Sequence, residues 1–485
     1  MMKRKEKGLS AWQLTMMAAG TVIGGSFFLG SSVAIHAAGP AILISYVFGG
    51  ILVYYILYAL SEMTVANPDA GSFRTFAAEA FGNGTGFVVG WVYWTGMVLG
   101  MSSEATAVSI LVRTWVPHIS IPVLGSSIIV IVTMLNLLGA NLLSKLESGL
   151  AAIKLLAIFS FIVIAVLLIT GLFPERPAVG IGELNRESLL PGGIKGVAGS
   201  MLLVIFAYAG FEIIGLASSE AENPKETVPK AINYTVICLV TFYVLSTLVL
   251  LPLISTANVS EEISPLVAAL DRNGITWAGT AINAVLITAI LSTMLAAMFG
   301  LGRMMRSLAD EGQAPKWLKD NREVPYRGIL FSGLAMLLGL WFGLLFPKVY
   351  LFLISSGGFA MLFTYTVVVA SHIRFRKKHG CPSEGKCYMR GFPYSSLFTL
   401  LSLFVIIISM PFVPGQTSGL IAGAVMVVVY ACAYLTMKFV RSSALRQKDV
   451  HQESFSQAKS KFSAEFSDEL TNINAKRNKK NDNKK

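Results

Sequence analysis

Charge is scarce in this chain. Of its 485 residues only 14% are Asp, Glu, Lys or Arg, against roughly 25% in ordinary soluble domains. That shortage excludes a disordered chain, which needs polar and charged residues to stay solvated, and it excludes a soluble multi-domain enzyme. Cysteine is nearly missing, with four in all: Cys238, Cys381, Cys387 and Cys432. They show no metal-type spacing and are too few for a disulfide-dense scaffold. Cys381 and Cys387 share one short polar loop, where a bridge is geometrically open; a cytoplasmic position for that loop favours two free thiols. Histidine occurs five times, and His36 and His118 sit near the ends of apolar runs as ordinary interfacial residues. No nucleophile–base pair, metal-ligand cluster or phosphate loop can be assembled, so no enzyme, bound metal or organic cofactor is expected.

What fills the chain is apolar: 54% of residues, gathered into runs near 20 residues with almost no charge inside. A helix of that length crosses about 30 Å of hydrocarbon. The pattern specifies an all-α polytopic membrane protein. Twelve segments can be laid out, at about 12–37, 40–63, 83–111, 121–142, 148–172, 196–219, 233–256, 275–302, 328–346, 349–373, 393–413 and 417–440. Residues 1–11 precede them and a basic polar tail, 441–485, follows. The basic start MMKRKEKG lacks a small-residue cleavage site after the first run, which is therefore read as a retained helix.

The net charge of +12 lies almost wholly between the runs or in the tail, which argues for a membrane surface and against a nucleic-acid partner. Sorted by this layout, 32 Lys and Arg fall with the N-terminus, the even-numbered loops and the tail, Lys438 at the end of the last segment counted with the tail; 6 fall in the odd-numbered loops. The positive-inside rule then places both termini in the cytoplasm of a multi-pass cell-membrane protein. In the tail, Phe455, Phe462, Phe466, Leu470 and Ile473 recur at helical spacing. They read either as a short amphipathic helix on an anionic leaflet or as a solvated tail with a few aromatics.

Helix-breaking sequence at mid-membrane survives only where the freed backbone lines a cavity or is buried in protein. Two places qualify. The first span carries Gly24-Gly25-Ser26 near its centre, after Val22. The sixth carries Phe206-Ala207-Tyr208-Ala209-Gly210-Phe211-Glu212. These spans each open a set of five, 12–172 and 196–373. Two odd-numbered sets lie in opposite orientations, and corresponding broken helices in inverted halves point to a midplane binding site. Unwinding at Gly24–Ser26 bares N–H groups at the positive end of a half-helix, which suits a carboxylate. Unwinding at Phe206–Ala209 bares carbonyls, which suit an ammonium group. Together the poles fit a zwitterionic α-amino acid, with the Ser26 hydroxyl as a further donor.

Ionisable groups at bilayer depth mark ion or substrate paths by default. Here they are Lys154, Glu104 and Glu212, with Glu62 near one end of its span. A buried lysine can lose and regain a proton within a cycle, and its ammonium can stand where a sodium ion would, so a proton is favoured over sodium as the coupling ion. Glu104 is open to two readings: a pocket residue, or a partner for a helix end.

At these residues the chain resembles the amino acid permeases of the APC superfamily, within it the bacterial amino acid transporter family. The motifs are IGGSFFLGSS, AGPAILISYVFGG, FGNGTGFVVGWVYW with SSEATAV, AAIKLLA, FAYAGFEIIGLASSEAENPKETVPKAI, RMMRSLADEGQAPKWL and SHIRFR. The resemblance implies a leucine-transporter-like 5+5 inverted repeat with two trailing helices. It also implies α-amino recognition by the carbonyls of Val22, Phe206 and Ala209, with Phe206 as an aromatic gate. Lys154 takes the sodium place of proton-coupled members, Ser292 faces it, and Glu212 serves gating or proton handling. The family pattern I-G-[ST]-G is altered here to Gly-Gly-Ser, so its side-chain donor does not carry over. The function expected is proton-coupled uptake of an amino acid by a monomer or homodimer. An amino acid or amine exchanger and a permease-like nutrient sensor are the alternatives.

Overall fold

The computed structural model describes residues 8–66, 73–138, 140–174, 176–216, 221–260, 262–320, 322, 324–381 and 387–440. The tail and its Phe455–Ile473 pattern lie outside the described residues. Two compact units divide the chain, Met1–Val428 and Val429–Lys485; of the second, residues 429–440 are described and helical.

Among the described residues the architecture is helical throughout, with one isolated bridge between Leu9 and Ala221. The helices are α1 Ala11–Val22, α2 Gly25–Phe28, α3 Gly30–Ala38, α4 Ile42–Ala66, α5 Phe73–Phe81, α6 Asn83–Arg113, α7 Ile121–Asn136 and α8 Ala140–Thr170. They continue as α9 Gly193–Tyr208, α10 Ile213–Leu216, α11 Pro224–Leu250, α12 Pro265–Arg272, α13 Thr276–Asp310, α14 Tyr326–Gly343, α15 Val349–His379 and α16 Tyr394–Ser409, then α17 Gln416–Val440. Nine described helices are long and apolar enough to cross a membrane, and α7 and α9 are shorter apolar helices.

Several boundaries differ from the apolar pattern for local reasons. α13 runs on to Asp310 and α15 to His379, because hydropathy marks only the part suited to lipid while the backbone stays helical into the polar RMMRSLAD and RFRKKH stretches. α15 stops where Gly380 takes φ +71°. α11 starts at Pro224, a residue preset for the first helical turn, behind Asn223. The fourth segment, expected to reach 142, closes at Asn136, and Ala140 already belongs to the next helix.

Burial is inside out relative to a soluble protein. Ile237, Leu338 and Ile408 are 65%, 63% and 68% exposed, a surface suited to hydrocarbon. Hydroxyls and charges turn inward: Glu62, Lys154, Thr235, Ser246 and Ser292 are buried. An aromatic group locks the centre. Phe27 stacks on Tyr243 with centroids 4.1 Å apart. The Tyr208 hydroxyl donates to the Tyr46 carbonyl at 3.0 Å, and that of Tyr243 to the Ala207 carbonyl at 2.9 Å. The half-helix beyond the first break is thereby fastened to α4, α9 and α11.

The loop after α15 is pinned to α4. Glu62 accepts from Arg376 at 2.8 Å through both nitrogens and from the Met389 N–H at 2.6 Å, and it bonds His372 at 2.6 Å. Cys381 and Cys387 are bonded to each other, against the expectation of free thiols. Their Cα atoms lie 5.1 Å apart, within disulfide range.

Candidate functional site: two broken helices side by side

α1 begins in a reciprocal cap, Ser10 accepting from the Gln13 N–H while Gln13 accepts from that of Ser10. It ends at Val22. Ile23 is extended (φ −75°, ψ 102°), as is Gly24 (φ −143°, ψ −162°). The helix restarts at Gly25, and Leu29 stays in the right-handed region between α2 and α3, so residues 25–38 run on as one half-helix. α9 ends at Tyr208, with Ala209 extended (φ −57°, ψ 144°) and Gly210 at φ +106°. Only glycine adopts that angle without strain. The two breaks touch: the Thr21 hydroxyl donates to the Gly210 carbonyl at 3.2 Å.

Each pole of the first break is ligated. The N–H groups of Gly25 and Ser26 donate to Glu104 of α6, one to each carboxylate oxygen, at 2.6 and 3.1 Å. The anion pole inferred from the sequence therefore holds a carboxylate, the protein's own, and Glu104 takes the helix-end role. Gly25 permits this approach, since a Cβ there would lie 2.5 Å from Glu104 Oε2. At the carbonyl end Lys154 of α8, fully buried, donates from Nζ to Gly20 O at 2.5 Å, Ile23 O at 3.1 Å and Thr293 Oγ1 at 3.3 Å. Buried charges are tolerated when paired and hydrogen-bonded in this way.

Ser292, expected to face Lys154, does not bond it. Its hydroxyl is buried without a hydrogen-bond partner among the described residues, and its neighbour Thr293 takes the role, bonding both Lys154 and the Ile23 carbonyl. One residue along a helix is a rotation of about 100°, which periodicity cannot fix to a single position.

The N–H side of the second break is ligated from within. Glu212 accepts from the Gly210 N–H at 3.0 Å, from the Tyr93 hydroxyl of α6 at 2.9 Å and from Tyr365 of α15 at 3.1 Å. Sequence reasoning found the glutamate and missed both tyrosines. Their signal, a phenol in mid-span within GWVYWTG and LFTYTVV, is weak, because tyrosine is common in apolar helices. Phe206 is buried at the end of α9; a Cβ on Gly100 of α6 would lie 3.0 Å from its Cζ. Of the predicted carbonyl ligands, that of Phe206 accepts the Ala209 N–H at 3.0 Å and that of Ala207 is used by Tyr243. Val22 is buried at the α1 terminus and Ala209 caps α9. Tyr350 of α15 donates to the Gly25 carbonyl at 3.3 Å, also unforeseen. No group of three or more His, Cys, Asp or Glu suited to a metal occurs among the described residues.

The sequence model of the family described as "Amino acid permease" matches residues 13–450. The uncharacterized amino acid permease YtnA of Bacillus subtilis (strain 168) is 32% identical over 454 residues, spanning 92% of this chain and 98% of its own. The gamma-aminobutyric acid permease of the same organism is 31% identical over 444 residues, 89% of this chain and 94% of its own. The aromatic amino acid transport protein AroP of Escherichia coli O157:H7 is 31% identical over 438 residues, 89% and 95% of the two chains. These matches span nearly the whole chain, and it belongs to the amino acid permease family of the APC superfamily, multi-pass membrane transporters of amino acids and not enzymes.

Proposed function

We propose that the chain takes up an amino acid with a proton, by alternating access around the paired breaks. In this reading twelve helices cross the membrane as two inverted sets of five plus two, with both termini in the cytoplasm. The substrate carboxylate meets the N–H pole at Gly24–Ser26, and the ammonium meets the carbonyls of Val22, Phe206 and Ala209. The relatives named for γ-aminobutyrate and for aromatic amino acids make both substrate types part of the trial set.

One observation carries the proton-coupled reading. An ammonium, that of Lys154, sits on two helix-end carbonyls and a threonine hydroxyl, an oxygen set that would otherwise suit a small cation. A side chain in that place supplies the break with a positive charge of the protein's own, which leaves no role for a sodium ion there and a proton as the coupling ion.

Uptake into proteoliposomes tests it. The purified protein is reconstituted, an alkaline interior is imposed with no internal substrate, and the twenty amino acids and γ-aminobutyrate are offered in turn. Accumulation of at least one of them, collapsing with a protonophore, is expected. Uptake only when substrate is preloaded would replace symport with exchange. Removing residues 445–485 should leave uptake intact; its loss would favour a role for the tail in sensing.

A further inference from the structure

The Gly25 and Ser26 N–H groups make up a pole for one carboxylate, and Glu104 saturates it with one oxygen to each donor. A substrate carboxylate aimed at the same pole meets a competitor already bonded there. We propose that Glu104 is a tethered, proton-carrying stand-in for the substrate's carboxylate. Between substrates its ionised group holds the Gly25 and Ser26 N–H pair. When a substrate carboxylate takes that pair, Glu104 accepts a proton and moves off. This deepens the uptake reading and rests on it.

Three features carry the assignment. First, the seat is tight. Glu104 is 3% exposed, and Ala107 and Ile290 stand at 3.3 and 3.2 Å from where a Gly25 Cβ would be, so a second carboxylate does not fit alongside the first. Second, two carboxylates a few ångströms apart in a buried site do not both stay ionised; one binds a proton. Third, the charge count across the break is conserved by the exchange. Lys154 keeps its ammonium on the Gly20 and Ile23 carbonyls, and one carboxylate remains on the N–H pair before and after.

Among the described residues these neighbours supply no other carboxylic acid. Lys154 of α8 is the charged group whose field Glu104 feels. Tyr243 of α11 interacts with its charge, and Tyr350 of α15 donates to the Gly25 carbonyl. α13 contributes Ile290 and Thr293, which are neutral. The proton enters with the substrate, rests on a Glu104 oxygen during the loaded state, and leaves on the release side as the carboxylate returns to the N–H pair. One proton accompanies each zwitterion, and one net positive charge crosses per turnover.

The test uses the full-length purified protein with L-phenylalanine, L-alanine and γ-aminobutyrate as probes. Calorimetric titration in two buffers of different ionisation enthalpy should show uptake of about one proton per probe bound, with affinity rising about tenfold per unit fall in pH across the range in which Glu104 is ionised. In Glu104→Gln, which keeps the shape and one acceptor oxygen, proton uptake should fall to near zero and the affinity should lose its pH slope. A structural role alone would change affinity without removing that slope. Wild-type binding with no proton uptake overturns the proposal even if the variant does not fold. A wild type that accumulates a probe along a pH gradient while Glu104→Gln does so equally sinks the Glu104 assignment and leaves proton-coupled uptake standing. No gradient-driven uptake of any probe by the wild type sinks both.

Discussion

The two broken helices solve one problem in different ways. Both free backbone groups inside hydrocarbon, where an unmet N–H or C=O is costly. The first break borrows its ligands from far away in sequence: Glu104 on the N–H side is 79 residues from Gly25, and Lys154 on the carbonyl side is 134 from Gly20. The second is served from two residues away, by Glu212 on the Gly210 N–H, with Tyr93 and Tyr365 steadying that carboxylate. A break ligated by other helices changes state when those helices shift or a competing ligand arrives. A break whose freed N–H is met from two residues away keeps that contact as it moves, even though its carbonyls bond Thr21 and Tyr243 of other helices. In the proposed uptake cycle the first break is the coupling centre, and the second lends carbonyls to the substrate while serving as a hinge.

The largest expected effect separates these roles. Lys154→Ala leaves the Gly20 carbonyl without its buried donor, a cost of about 1–3 kcal/mol, takes one of two donors from the Ile23 carbonyl, which keeps Thr293, and deletes the buried cation. Gradient-driven accumulation should fall by more than about 100-fold, while size-exclusion behaviour shows a folded, inserted protein. Normal proton-driven accumulation in that variant would remove Lys154 from the mechanism. Next comes Gly25→Val. Its Cβ would lie 2.5 Å from Glu104 Oε2, displacing the carboxylate and filling the space before the N–H pair. Affinity for the best probe should drop at least about tenfold, and an unchanged value would put the substrate carboxylate elsewhere.

The hinge responds through stability. Gly210 holds φ +106°, and an alanine Cβ there would also come within 3.0 Å of the Thr21 carbonyl. Gly210→Ala should cost about 1–2 kcal/mol, read as a lower melting temperature in detergent, with the pH dependence of binding retained. Loss of that pH dependence with stability unchanged would show that the second break shares in coupling.

How much of this the sequence disclosed follows from what kind of information each feature needs. The broken spans were legible because glycine and mid-span charge are local signals with few other uses in lipid. Lys154 and Glu212 stood out for the same reason. Which partner each charge takes was not legible. That Glu104 lies on Gly25 and Ser26 depends on how α6 packs against the first half-helix, and no local pattern encodes a pairing across 79 residues. Tyr93, Tyr243, Tyr350 and Tyr365 escaped because a phenol in an apolar helix shows its hydroxyl's partner only once the neighbours are in place. α13 and α15 run past the apolar segments 275–302 and 349–373, because helix and hydrophobicity part company there.

The smallest effect tests the finest distinction, between neighbours on α13. Ser292 and Thr293 differ by one step of helical rotation, and only Thr293 reaches Lys154 and the Ile23 carbonyl. Thr293→Val preserves shape and removes that hydroxyl, leaving Lys154 with one oxygen fewer at a site where hydrogen bonds to charged groups contribute about 1.5–3 kcal/mol. The bond is long, at 3.3 Å, so the lower end of that range applies, and the expected loss of coupled uptake is about tenfold. Ser292→Ala discards a buried hydroxyl without a partner among the described residues and should be neutral or slightly stabilising, because an unmet polar group leaves the core. If the two variants exchange these outcomes in the same proteoliposome assay, α13 is rotated by one residue in the working carrier, and the oxygen set around Lys154 must be redrawn with Ser292 in it.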